Sequence, residues 1–96
     1  MDGSLGLAIA LGHVRNAVAA FVAAEDPTGE SLFLAAECLD LEGLFSEFDV
    51  VPEVVDRDVG APESLDLAAE VLASVRPHAP LALWAGLQAL RRRAAR

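Results

Sequence analysis

The sequence predicts an all-α chain, built either as a short stack of helix-turn-helix repeats or as a small four-helix bundle. Three observations lead there. Glu30-Ser31-Leu32-Phe33-Leu34-Ala35-Ala36-Glu37-Cys38-Leu39 returns as Glu63-Ser64-Leu65-Asp66-Leu67-Ala68-Ala69-Glu70-Val71-Leu72, alike at every position but two and 33 residues further on. A helical segment recurring at such a period is typical of stacked units that share one core. Leu34, Cys38, Leu41, Phe45 and Phe48 are spaced four, three, four and three apart, which lines one helix face and predicts its burial. Finally, Gly- and Pro-containing stretches divide the chain into four apolar segments.

The elements follow in order. Residues 4–24 read as helix with Ser4 as N-cap. Gly12-His13 lies in its middle, where a glycine costs about 1 kcal/mol relative to alanine. The expectation is therefore a break there, with Gly12 ending a first short helix in the left-handed conformation and His13 capping the turn. Glu25-Asp26-Pro27-Thr28-Gly29 is a turn, and residues 30–48 are helical again. The stretch from Val50 to Pro62 holds two prolines, a glycine and the run Val54-Val55-Asp56-Arg57-Asp58-Val59. It reads as an extended loop with room for a short hairpin. Residues 63–75 form the next helix, Arg76-Pro77-His78-Ala79-Pro80 breaks it, and Leu81 to Arg93 form the last, with Pro80 at its first position. The single domain 1–96 thus contains repeat-like units at about 4–27, 30–58 and 63–96.

Composition bounds the function. Ninety-six residues, of which 54% are apolar, are few to hide so much apolar side chain. Either many alanines sit on helix surfaces or a second copy or a partner covers a face, and a homo-oligomer is expected among these. Fifteen acidic residues stand against seven arginines, with no lysine and a net charge of −8. That balance argues against nucleic acid and anionic membrane as partners. Arg91, Arg92, Arg93 and Arg96 suit the last turn of a helix through its macrodipole. Residues 4–24 are long enough to span a bilayer, but His13, Arg15 and Asn16 occupy the middle, where one arginine costs about 2.5–3.5 kcal/mol. Asp2 also replaces the basic start of a signal peptide. Cys38 is alone, so no internal disulfide forms, and a cytoplasmic location is expected.

Little points to catalysis. Neither histidine, His13 nor His78, has a Cys, Asp or Glu at ligand spacing on its own helix face. His78, between two prolines, reads as solvated, and Cys38 on the apolar stripe reads as core. No phosphate-binding glycine loop, H-E-x-x-H or G-x-S-x-G occurs. No enzyme activity, cofactor or metal is expected. Glu63-Ser64-Leu65 is similar to the attachment site of acyl carrier proteins, but Glu30-Ser31-Leu32 repeats it, and repetition explains the motif better. Asp66 and Glu70 lie four apart with no basic residue on their helix to neutralise them. The loop adds Asp49, Glu53, Asp56 and Asp58 against Arg57.

One family resemblance bears on these acidic positions. Leu5-Gly6-Leu7-Ala8-Ile9-Ala10-Leu11-Gly12-His13-Val14, followed by Ala17 to Pro27, resembles an ankyrin repeat. Ser31-Leu32-Phe33-Leu34-Ala35-Ala36-Glu37 and Ser64-Leu65-Asp66-Leu67-Ala68-Ala69-Glu70 resemble the starts of two more. The Thr-Pro that opens the family's first helix is absent from all three, and Gly-His occurs once. The resemblance implies that Phe33 and Glu37, and their counterparts Asp66 and Glu70, line a concave face where a protein partner docks. It also implies that loop tips such as Asp56 and Asp58 contribute. The function expected is a non-catalytic protein-interaction module for a basic or mixed protein surface; the alternative is a self-associating structural or regulatory subunit. The apolar N-terminal end is expected to be covered by a second chain or by the C-terminal helix carrying Trp84.

Overall fold

The structure, a computed structural model, describes residues 3–26, 28–56, 59–75 and 79–95. These form the helices α1 (Gly3–Ala23), α2 (Glu30–Glu47), α3 (Ala61–Ser74) and α4 (Leu81–Ala94). No strand occurs among the described residues, so the described part of the segment from Val50 forms no hairpin. α1 packs on α2 and α3, and α4 packs on the same two. The helices therefore follow the order α1, α2, α4, α3 around one core, with α2 diagonally opposite α3. Val14, Phe21, Cys38, Phe45, Leu65, Leu72, Leu83 and Leu87 draw that core from all four.

The expected break in α1 does not occur: the helix runs unbroken through Gly12 and His13. The glycine answers a close approach instead of a turn. Residues 51–56 lie across the outer side of α1, where Glu53 N–H donates to Ala8 O at 3.0 Å and Asn16 Nδ2 donates to Val55 O at 2.9 Å. A Cβ on Gly12 would stand 2.2 Å from Glu53 O and 2.7 Å from Val55 Cγ2. His13 is likewise a buried mid-helix residue and not a turn cap. The buried face of α1 is rich in small residues (Gly6, Ala10, Ala17), as is that of α3 (Ala61, Ala68, Ala69). Coverage of α1 comes from α2, α3 and the loop, with α4 and its Trp84 on the far diagonal.

α2 shows how its ends were chosen. Gly29 precedes it at φ 77, with no side-chain cap of its own. Asp26 serves instead, accepting hydrogen bonds from Thr28 N (2.9 Å), Thr28 Oγ1 (2.6 Å), Ser31 N (3.0 Å) and Ser31 Oγ (3.2 Å). These donors favour the carboxylate and hold the Asp26 pKa at about 2 instead of 3.8, Thr28 contributing most. A folded-state value below the unfolded one means that the cap's contribution is present above pH 3.8 and is lost as pH falls through about 2. Asp26→Asn is expected to flatten the acid limb of an unfolding-versus-pH titration across that window.

At the other end, Asp49 N–H donates to Ser46 O (3.0 Å) and Val50 N–H to Phe45 O (3.3 Å), while Asp49 holds φ 59. This is the paired 5→2 and 6→1 closure that satisfies terminal carbonyls. It stops the helix at Glu47 and leaves Phe48 partly exposed, so the last member of the predicted apolar stripe is not buried. α3 starts at Ala61, two residues earlier than the sequence suggested, because Pro62 fits the first turn. Pro80 is the N-cap of α4 and not its first helical residue.

Candidate interaction surface

The repeated segment occupies two environments. In α3, Leu65 and Leu72 are 0% exposed, whereas their equivalents in α2, Leu32 and Leu39, are 60% and 55% exposed. Ala69 is buried and Ala36 exposed. The reason is rotation about the helix axis. α2 turns Leu34, Ala35, Cys38, Leu41 and Phe45 into the core, while α3 turns Ala61, Leu65, Ala68, Ala69 and Leu72 inward. At 3.6 residues per turn, Leu32, Ala36, Leu39 and Gly43 then form a single stripe on the side of α2 away from the core. Phe33, 63% exposed, borders it. The Arg15–Glu42 ion pair (3.4 Å) sets the register of α1 against α2. Exposed Val22 lies two turns beyond Arg15 on the same side of α1.

The residues expected to meet a partner are placed as follows. Phe33 is exposed at the start of the stripe. Glu37 lies on the α4 side of α2, largely enclosed, and pairs with Arg93. Asp66 pairs with Arg91 Nε at 2.9 Å, so the missing cation for this carboxylate comes from α4, a helix away in sequence. Glu70 is exposed and lines a groove of about 370 Å³ with Asp66, Ala69, Ala73, Trp84 and Arg91. Asp56 is exposed in the loop, and Asp58, like Arg57, lies outside the described residues. Glu37 and Asp66 thus flank α4 from two sides, and the C-terminal arginines answer acidic neighbours as well as the helix dipole. The Asp66–Arg91 pair is a solvent-facing contact of the kind worth at most about 1 kcal/mol.

Sequence reasoning missed Leu32, Ala36 and Leu39. The signal was there: these residues are spaced four and three apart, just as Leu34, Cys38, Leu41 and Phe45 are, but on the opposite side of the same helix. A surface helix normally has one such side.

Reactive groups are enclosed. Cys38 is fully buried, and burial, then Glu42 and Glu37, push its thiol up to about 12. The thiolate is the nucleophile, so native protein is expected to resist a thiol-reactive disulfide reagent at pH 8 and to react promptly in denaturant. A fast stoichiometric reaction in the native state would contradict this burial. Burial also raises the Glu42 pKa against the opposing pull of Arg15. The Ser64 hydroxyl is buried and accepts no partner's hydrogen bond among the described residues, which closes it to carrier-type modification in this fold. His78 lies outside the described residues. No group of three or more His, Cys, Asp or Glu side chains able to hold a metal ion occurs among the described residues.

α1 is long and apolar enough to cross a membrane, with a mean hydropathy of 1.6 over its most apolar window. In this fold its polar residues are used internally: Arg15 against Glu42, Asn16 against the loop, His13 in the core. No family model matches the chain, and neither a curated protein nor a solved structure shows significant similarity to it.

Proposed function

We propose that the protein is a non-catalytic protein-interaction module that contacts its partner through the outer face of α2. One observation carries this reading: Leu32, Phe33 and Leu39 are each more than half exposed and sit together on a helix whose other side is fully used by the core. Scattered apolar residues on a surface need no explanation, but a contiguous patch generally marks a contact site. An aromatic such as Phe33 within a patch is a favoured energetic anchor. We carry the stacked-repeat reading forward within the same proposal, with α1–α2 and α3–α4 as two helical hairpins side by side. We place the protein in the cytoplasm, in keeping with its single buried cysteine.

The acidic residues enter as a rim. Glu37 and Asp66 hold α4 in place, which makes them poor targets for charge reversal: such a change would disturb the fold's own ion pairs together with any docking. The discriminating variant is Leu32→Glu with Leu39→Glu, on the bare side. A pull-down from the source cell's lysate is expected to recover a partner with wild type and lose it with the double variant. Recovery of the same partner with both baits would overturn this contact face, and recovery of the chain alone with both would favour a self-associating subunit.

A further inference from the structure

We infer that the bare face of α2 takes an amphipathic helix with basic flanks from another protein, a helix built like α4. The inference rests on the interaction reading above and names the chemistry of the occupant. Within this fold one such helix, α4, already packs along both copies of the repeated segment. Asp66, Ala69 and Ala73 of α3 share a groove with Trp84 and Arg91 of α4, and Arg91 Nε donates to Asp66 Oδ1 at 2.9 Å. Shifted by the repeat, those three α3 residues become Phe33, Ala36 and Asp40 of α2, all exposed. Leu65 and Leu72 become Leu32 and Leu39. Leu65 and Leu72 lie in the core, where α3 packs chiefly on α1, whereas Leu32 and Leu39 have no helix upon them.

α4 shows what kind of helix suits a neighbour of the repeated segment. α4 buries Leu83, Leu87 and Leu90, spaced four and three apart, and ends in Arg91, Arg92 and Arg93. Apolar anchors at that spacing are how a helix lies on an apolar face. Charge selects the flanks. α2 carries Glu30, Glu37, Asp40, Glu42 and Glu47 and no basic residue. Glu37 and Glu42 are paired within the fold, whereas Asp40 and Glu47 are exposed beside the stripe. A second copy would add another chain of net charge −8, while arginines on an incoming helix would complement that rim and steer its approach.

The probe is a fluorescein-labelled synthetic peptide of residues 80–96, titrated with the full-length protein and read by anisotropy. Saturable one-to-one binding is expected. It should weaken at least tenfold with Leu32→Glu/Leu39→Glu, and severalfold, with a shallower salt dependence, with Asp40→Asn/Glu47→Gln, whose isosteric changes leave the fold intact. Asp66→Asn, in the groove between α3 and α4, should leave the affinity unchanged. Binding insensitive to the α2 variants but altered by Asp66→Asn would mean that the peptide displaces α4, and would overturn the inference. So would a dimer in sedimentation velocity that Leu39→Glu dissolves, which assigns the face to a second copy. Failure of the peptide, with the lysate partner still lost from the Leu32→Glu/Leu39→Glu bait, refutes the basic-helix occupant and leaves the interaction reading standing. Failure of both removes both.

Discussion

Phe45→Ala is expected to lower the unfolding free energy by about 3–5 kcal/mol, the usual cost of deleting a fully enclosed aromatic side chain. Phe45 is 0% exposed and belongs to the cluster that joins all four helices. Its carbonyl also accepts from Phe48 N–H and Val50 N–H, so it sits where α2 closes and the loop begins. A 96-residue domain holds in total roughly 5–15 kcal/mol. The substitution therefore removes a fifth or more of the stability and should bring a denaturant midpoint sharply down. An effect below about 1 kcal/mol would mean that the end of α2 is not packed as described.

Gly12→Ala and Gly43→Ala make the same chemical change inside two helices, with opposite expected signs. Alanine is favoured over glycine in a helix by about 1 kcal/mol. At Gly43 a Cβ meets nothing within 4 Å, so the full propensity gain should appear. At Gly12 the Cβ collides at 2.2 Å with a backbone carbonyl, that of Glu53, and at 2.7 Å with Val55 Cγ2. Backbone yields less readily than a side-chain end, and overpacking of this kind typically costs about 1–3 kcal/mol. Gly12→Ala should thus be net destabilising, and faster amide exchange at Glu53 would report that its bond to Ala8 is lost. A stabilised Gly12→Ala protein would show that the loop does not lie on α1.

Much of the fold was legible because helix punctuation is local. The turn at Asp26–Gly29, the proline near the start of α3 and the arginines at the end of α4 each act within a few residues of where they stand. Gly12 was misread because its reason is not local: the residue that requires it is 41 positions away, in a loop with no periodic signal. The acidic positions were misjudged in the same way. Asp66 has no cation on its own helix, yet Arg91 reaches it from α4 across 25 residues. The repeat was legible as sequence, but identical residues do not dictate identical burial. Leu65 and Leu32 share a motif, and what separates them is how far each helix is rotated toward the core, which the other three helices decide.

One comparison tests that separation most directly: equilibrium unfolding of Leu39→Glu beside Leu72→Glu. The two leucines are repeat equivalents, one 55% exposed and one fully buried. Leu72→Glu leaves an unpaired carboxylate in the core and should unfold the protein or cost at least about 3 kcal/mol. Leu39→Glu should stay within about 0.5 kcal/mol of wild type, as surface changes do. Equal and severe losses at both positions would mean that α2 is covered on its outer side, and the docking face would not exist.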